Sequence, residues 1–424
     1  MLRKWIALVV VTLLLACSQE APVSSSPERV ELEVWAHAGQ EGERKVIEDQ
    51  VARFNQQRSG VQIKLTLLPE RSYNAQVQAA ALAGDLPDVL EFDGPYLYNY
   101  IWQRQLQPLE GLLPSEATQD LLPSIVEQGR YQGHLYAVGT FDSGLGLYAR
   151  RSLLDKTGIR IPRGIEDAWT AAEFAKALST LAVSDDDGTV LDLKLNYAGE
   201  WFTYAFSPVI QSAGGDLVDR KAYRTAAKVL DGALAVAGMQ QLQSWFEKGY
   251  VDSNVDDGAF VTGKVALSWA GHWEYPRYKA TIGDDLVLLP LPDFGQGSRT
   301  GQGSWVWGVS SGTAHAKEAA SFLAFLLETK EVLLMADANG AVPGTKEAVK
   351  QSDLYRKGGD LRLFSEQLVR GHAVPRPQTP AYPVITSAFQ TAFHDIRNGA
   401  DVQAALHAAV KLIDQDIIDN KGYP

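Results

Sequence analysis

Cysteine is almost absent: Cys17 is the single one in 424 residues. That excludes an intramolecular disulfide framework and a cysteine-built zinc centre. Histidine is sparse too, seven residues scattered without metal-ligand spacing. The sequence has no G-x-S-x-G, no H-E-x-x-H and no P-loop, so the common signatures of serine hydrolases, zinc proteases and nucleotide-binding enzymes are missing. Positive charge is in short supply, with 39 Lys and Arg against 51 Asp and Glu, a net charge of −12. Such a surface repels phosphate backbones and argues against nucleic acid as a partner. The one long apolar run, Trp5 to Leu15, is shorter than a bilayer-spanning helix.

What is present is an ordinary globular composition, 46% apolar and 21% charged, in a chain long enough for two compact domains. Arg3 and Lys4 precede the apolar run, which reads as a signal peptide over residues 1–16. It ends Leu14-Leu15-Ala16-Cys17, which resembles the lipobox of bacterial lipoproteins. The resemblance implies cleavage before Cys17 and a lipid on its thiol, hence an exported, membrane-anchored protein, periplasmic or at the cell surface. Ser18, not Asp, follows the Cys, a choice that in a two-membrane bacterium implies release towards the outer membrane. Residues 17–29, rich in Ser and Pro, then form a flexible tether.

Val30 to Trp35 alternates as a strand, and Glu41 to Gln56 carries Ile47, Val51 and Phe54 at helical spacing. Val61 to Leu67 alternates again. Ser72 to Ala83 is helical and closes at Gly84, and Val89 to Phe92 makes a third strand. This βαβαβ series predicts a mostly parallel sheet covered by helices. Ala137 to Tyr148, with Gly139, Gly144 and Gly146, reads as a chain crossing between lobes. Helices follow, one opened by the capping box Thr170-Ala171-Ala172-Glu173 and another over Leu234 to Lys248. Strands return at Val265 to Trp269 and Leu286 to Leu289. Gly301 to Val309 reads as a second crossing, and Val402 to Ile418 as an amphipathic helix.

Several segments in this order resemble the extracellular solute-binding proteins of family 1, the sugar-binding subunits of carbohydrate ABC importers. They are Leu86-Pro87-Asp88-Val89 with Phe92-Asp93-Gly94-Pro95, Tyr136-Ala137-Val138 leading to Leu147-Tyr148-Ala149-Arg150, Gly263-Lys264-Val265-Ala266-Leu267 before Gly271-His272-Trp273, and Ala341-Val342-Pro343-Gly344-Thr345. The resemblance implies an α/β, two-lobed periplasmic-binding-protein fold of type II. Each lobe would be a mixed sheet flanked by helices, with three crossings between them. The lobes would divide as 30–140 with 307–356 and 141–306 with 357–424. It further implies reversible capture of a di- or oligosaccharide by hinge closure, with importer membrane subunits as partners, a monomeric state, no cofactor and no catalysis. An exported glycoside hydrolase or lyase is the alternative, since 51 acidic residues offer many carboxylate pairs.

Sugars present apolar ring faces that pack on aromatic side chains and hydroxyl edges that need polar partners. Ten tryptophans are available. Trp201 and Tyr204 stand before Gly214-Gly215, in a segment that in family members points into the cleft. Trp273 and Glu274 directly follow a strand, where open α/β sheets carry ligands. Trp305 is favoured over Trp307, on the same strand. The polar candidates are Gln40, Glu41, Asp93, Asp142 and Arg376, with Asp93 aimed by the Gly94-Pro95 turn. Asp185-Asp186-Asp187-Gly188 is read as a helix-ending turn in preference to a calcium loop, because Val183 occupies the first required ligand position.

Overall fold

The computed structural model describes residues 29–254 and 256–424. The expected signal peptide, Cys17 and the tether as far as Glu28 lie outside the described residues. Among those described, no helix is long and apolar enough to cross a membrane.

The chain forms two lobes, each built on one sheet. In the first, Val30–His37 pairs in parallel with Val61–Leu68 on one side and Val89–Asp93 on the other. Leu32, Val34 and Ala36 are buried while Glu31 and Glu33, on the alternate positions, are exposed. Trp305–Val309 then runs antiparallel to Val89–Asp93, and Ala137–Val138 closes the far edge. The sheet is therefore mixed, parallel only across the three strands that the βαβαβ pattern marks. The helix Glu41–Gln57 covers it with Ile47, Val51 and Phe54, and Phe54 packs edge-on against Phe322 and Phe325.

In the second lobe, Leu145–Arg150 lies between Leu267–Gly271 and Leu286–Leu289, antiparallel to both. Leu191–Asp192 adds in parallel at the edge. Long helices cover this sheet, among them Ala171–Val183, Glu200–Ala213, Ala233–Glu247, Tyr382–Arg397 and Val402–Asp419. Their core joins Phe174, Phe206, Trp245, Trp269 and Phe393. The capping box forms: Thr170 Oγ1 accepts from Glu173 N at 3.2 Å, and Glu173 accepts from Thr170 N at 2.9 Å. The acidic run after the first of these helices is a turn, in which Asp185 Oδ1 accepts from the backbone N–H groups of Asp187 and Gly188.

Three passages join the lobes. Phe141–Asp142 pairs with Val342–Pro343, and Thr300–Gln302 pairs with Ala373–Pro375. Three residues, at two of the boundaries, depart from the expected division. Trp305 and Val306, expected on the second lobe, pair with Asp93 and Phe92 in the first sheet, because the strand starts as soon as the turn at Gly303 ends. Tyr355, expected on the first lobe, packs with Tyr148, Tyr278 and Phe364.

Candidate functional site

A cavity of about 570 Å³ lies between the lobes. Its walls are loops at the carboxyl ends of strands: His37 ends the first strand, Asp93 the third, and His272 and Trp273 follow Leu267–Gly271. Open sheets place ligands there because the loops converge and backbone groups are free.

The second lobe supplies an aromatic floor. Trp273 and Trp201 meet edge to face with ring centres 5.9 Å apart, and Tyr197 meets Trp201 in the same way at 5.1 Å. Trp273 Nε1 donates to the Tyr197 hydroxyl at 3.1 Å, and that hydroxyl donates to Glu274. The orientation of Trp273 is thus fixed while its ring stays partly exposed. Trp201 is more deeply held, its Nε1 donating to Leu193 O at 3.1 Å. Across the cavity the first lobe presents Trp305, also partly exposed. His37 stacks on it at 4.0 Å with the planes 8° apart, and Tyr73 meets its edge. Trp307 does not line the cavity and is buried against Phe322.

His37 is held as a cation. Burial alone lowers its pKa, but Glu91, 2.7 Å from Nδ1, with Glu43 and Glu70 nearby, raises it to about 10. Its folded pKa exceeds the ordinary 6.5, so the stabilisation is complete below pH 6.5 and is lost as pH rises through 10. The unaltered protein should therefore lose roughly a few kcal/mol more of unfolding free energy over that window than His37→Gln does. Urea unfolding at both ends of the window measures it, and equal losses in the two proteins would show that the pair is not ionic.

A polar network spans the cavity. Arg376 forks onto Asp93, Nη1 to Oδ2 at 2.6 Å and Nη2 to Oδ1 at 2.5 Å. Nη1 also reaches Glu200 at 3.3 Å, and Glu200 accepts from Tyr96 at 2.9 Å and from Tyr382. The guanidinium lies 5.0 Å from the centre of the Tyr204 ring. Burial pushes the Glu200 pKa up, Arg376 opposes that, and Asp93 adds to it. One cation thus holds two carboxylates, one from each lobe.

Of the ten expected contacts, Gln40, Asp93, Trp201, Tyr204, Trp273, Trp305 and Arg376 line the cavity. Three do not. Glu41 is exposed at the first position of its helix and turns to solvent. Asp142 is fully buried in a passage between lobes, where its carboxylate accepts from Gln128 Nε2 at 3.1 Å and Ser143 N at 2.8 Å. Glu274 sits under the floor, bonded to Arg277 and 3.8 Å from the fully buried Lys194. Sequence reading missed His37, Glu43, Tyr96, Tyr197, Glu200 and Ser304, which do line it. Glu43 carried a signal: three residues past the N-cap Gln40, it reaches back to that residue's backbone N–H at 3.0 Å. Among the described residues no group of three His, Cys, Asp or Glu side chains is placed to hold a metal ion.

The pattern of the bacterial extracellular solute-binding protein family matches residues 49–361. The chain is 22% identical to a maltooligosaccharide ABC transporter solute-binding lipoprotein of Streptococcus pneumoniae, over 96% of this chain and 94% of that one. It is 24% identical to an uncharacterized lipoprotein in the oleD 5' region of Streptomyces antibioticus, over 95% and 91%. In fold it resembles the GacH receptor of Streptomyces glaucescens, solved unliganded and with acarbose. The TM-score is 0.78 at 22% identity, over 93% of this chain and all of that one.

Proposed function

The chain belongs to the bacterial extracellular solute-binding protein family, and from that membership we propose that it captures an oligosaccharide of two or three units between its lobes for an ABC importer. The observation that carries this reading is the pair of partly exposed indoles, Trp273 and Trp305, presented to one cavity from opposite lobes. Ring faces of a sugar pack on such surfaces, and contact with both lobes at once favours the closed arrangement over the open one. The cavity of about 570 Å³ falls within the span of small-molecule sites, and the relative from Streptococcus pneumoniae is named for maltooligosaccharides.

On this reading the ligand leaves intact. Asp93 and Glu200, two of the carboxylates that line the cavity, are both tied to Arg376. The chain acts as a monomer, held to the membrane by lipid on Cys17. A thermal-shift screen of the chain from Ser18 onward against mono-, di- and trisaccharides tests the proposal. A sugar at 100-fold excess over its dissociation constant stabilises the folded state by about 2.7 kcal/mol, a clear rise in melting temperature. The expected result is a selective rise with di- or trisaccharides and recovery of the sugar unchanged. No rise with any sugar, or recovery of cleaved product, would overturn it.

A further inference from the structure

Beneath the aromatic floor lies a cluster of charged side chains, Asp192, Lys194, Asp257, Glu274 and Arg277, none of which lines the cavity. Lys194 is fully buried, its Nζ 3.0 Å from Asp192 Oδ2, 2.8 Å from Asp257 Oδ1 and 3.8 Å from Glu274 Oε1. Arg277 Nη2 completes the ring, 2.5 Å from Glu274 Oε2 and 2.8 Å from Asp257 Oδ2. Lys194 also holds a φ of 53°, in the left-handed region where a side chain crowds its own backbone. Burying charges is costly, and apolar side chains in place of a buried ion cluster are often neutral or stabilising. Stability alone therefore does not account for this arrangement.

Glu274, 2% exposed, links the cluster to the cavity. From it the bonds run in one direction. The Tyr197 hydroxyl donates its single proton to Glu274 Oε1, so only its lone pairs face the Trp273 indole, whose Nε1–H can only donate. Resting on the sugar reading above, we infer that Glu274 is a positioning residue for ligand capture. Through Tyr197 it sets the angle of the Trp273 ring on which a sugar packs, and Lys194 and Arg277 hold its carboxylate in place. Glu274 itself does not reach the cavity, so its whole effect on affinity passes through the indole.

Calorimetric titration of the chain from Ser18 onward with maltotriose and mannotriose tests this in a double-mutant cycle of Glu274→Gln with Trp273→Phe. Phenylalanine keeps an aromatic face but has no N–H to give Tyr197. Alone, Glu274→Gln should weaken the better-bound sugar by about 3- to 30-fold, the coupling found between neighbours in one hydrogen-bond network. On the Trp273→Phe background the same change should cost less than about 2-fold, because the relay no longer ends on the ring. A merely structural Glu274 would lower affinity by the same factor on both backgrounds. That result, or undiminished affinity in Glu274→Gln alone, would overturn the proposal. The relay is also read without ligand, in the indole N–H magnetic resonance signal that Trp273→Phe removes. It should move in both Glu274→Gln and Tyr197→Phe, and an unmoved signal would overturn the relay. Failure of the unaltered protein to bind either sugar would instead count against the sugar reading, whatever the indole signal does.

Discussion

Trp273→Ala should lower affinity for the best-bound trisaccharide by roughly 30- to 1000-fold, the range set by losing a central aromatic anchor worth about 2–4 kcal/mol. A second variant reaches the same ring without removing it. A Cβ built on Gly271 would stand 2.0 Å from Trp273 Cζ3 and 2.3 Å from Cη2, closer than non-bonded carbons ever come. The backbone at Gly271 is extended, so alanine fits the main chain and the indole must move. Gly271→Ala should then match the alanine variant in calorimetric titration, with Tyr197 losing its bond from the indole. Wild-type affinity in Gly271→Ala would mean that the position of this ring does not govern recognition.

Arg376→Met should destabilise the ligand-free protein by about 3–5 kcal/mol, as breaking one side of a buried ion pair does. The loss is large because two carboxylates, Asp93 and Glu200, are left without their cation at once. It should also depend on pH. Glu200 already has a raised pKa from burial, and loss of the guanidinium removes the one charge opposing that rise. Protonation then relieves the repulsion, so the deficit relative to the unaltered protein shrinks as pH falls. Urea unfolding of both proteins across the acid range measures this. A deficit independent of pH would show that lost packing on Tyr204, not charge, is responsible.

The strands and helices around Val30 to Asp93 were legible because each has one buried face, and period two or period 3.6 reports that face directly. Trp273 was legible for a related reason, as an aromatic residue just past a strand. Its neighbour Glu274 was not. A single 3-10 turn, His272–Glu274, sends the indole into the cavity and the carboxylate under the floor. The same limit separates Glu41 from Glu43, where a two-residue step along a helix start exchanges solvent for the cavity edge. His37 and Trp305 stack across a gap of most of the chain, and no local pattern in either segment announces the other. Glu200 was hidden because its partners Tyr96, Arg376 and Tyr382 come from three distant places. Local periodicity encodes which face is dry, whereas the site depends on which distant loops arrive beside one another.

The order of strands in the first sheet bears on how the chain assembles with time. Trp305–Val309 sits between Val89–Asp93 and Ala137–Val138, so the edge strand has nothing to pair with until a segment from far later in the chain is in place. A chain made from its N-terminus onward must hold Val30 to Asp93 as an incomplete sheet, with one edge open, through the synthesis of most of the second lobe. Contacts so distant in sequence carry a loop-closure cost that is met before any pairing offsets it, and they slow folding. The last stretch of the first sheet to be made lies against Asp93, so the half of the cavity that holds Trp305 forms only once synthesis has passed Val309, with the sheet of the second lobe already made.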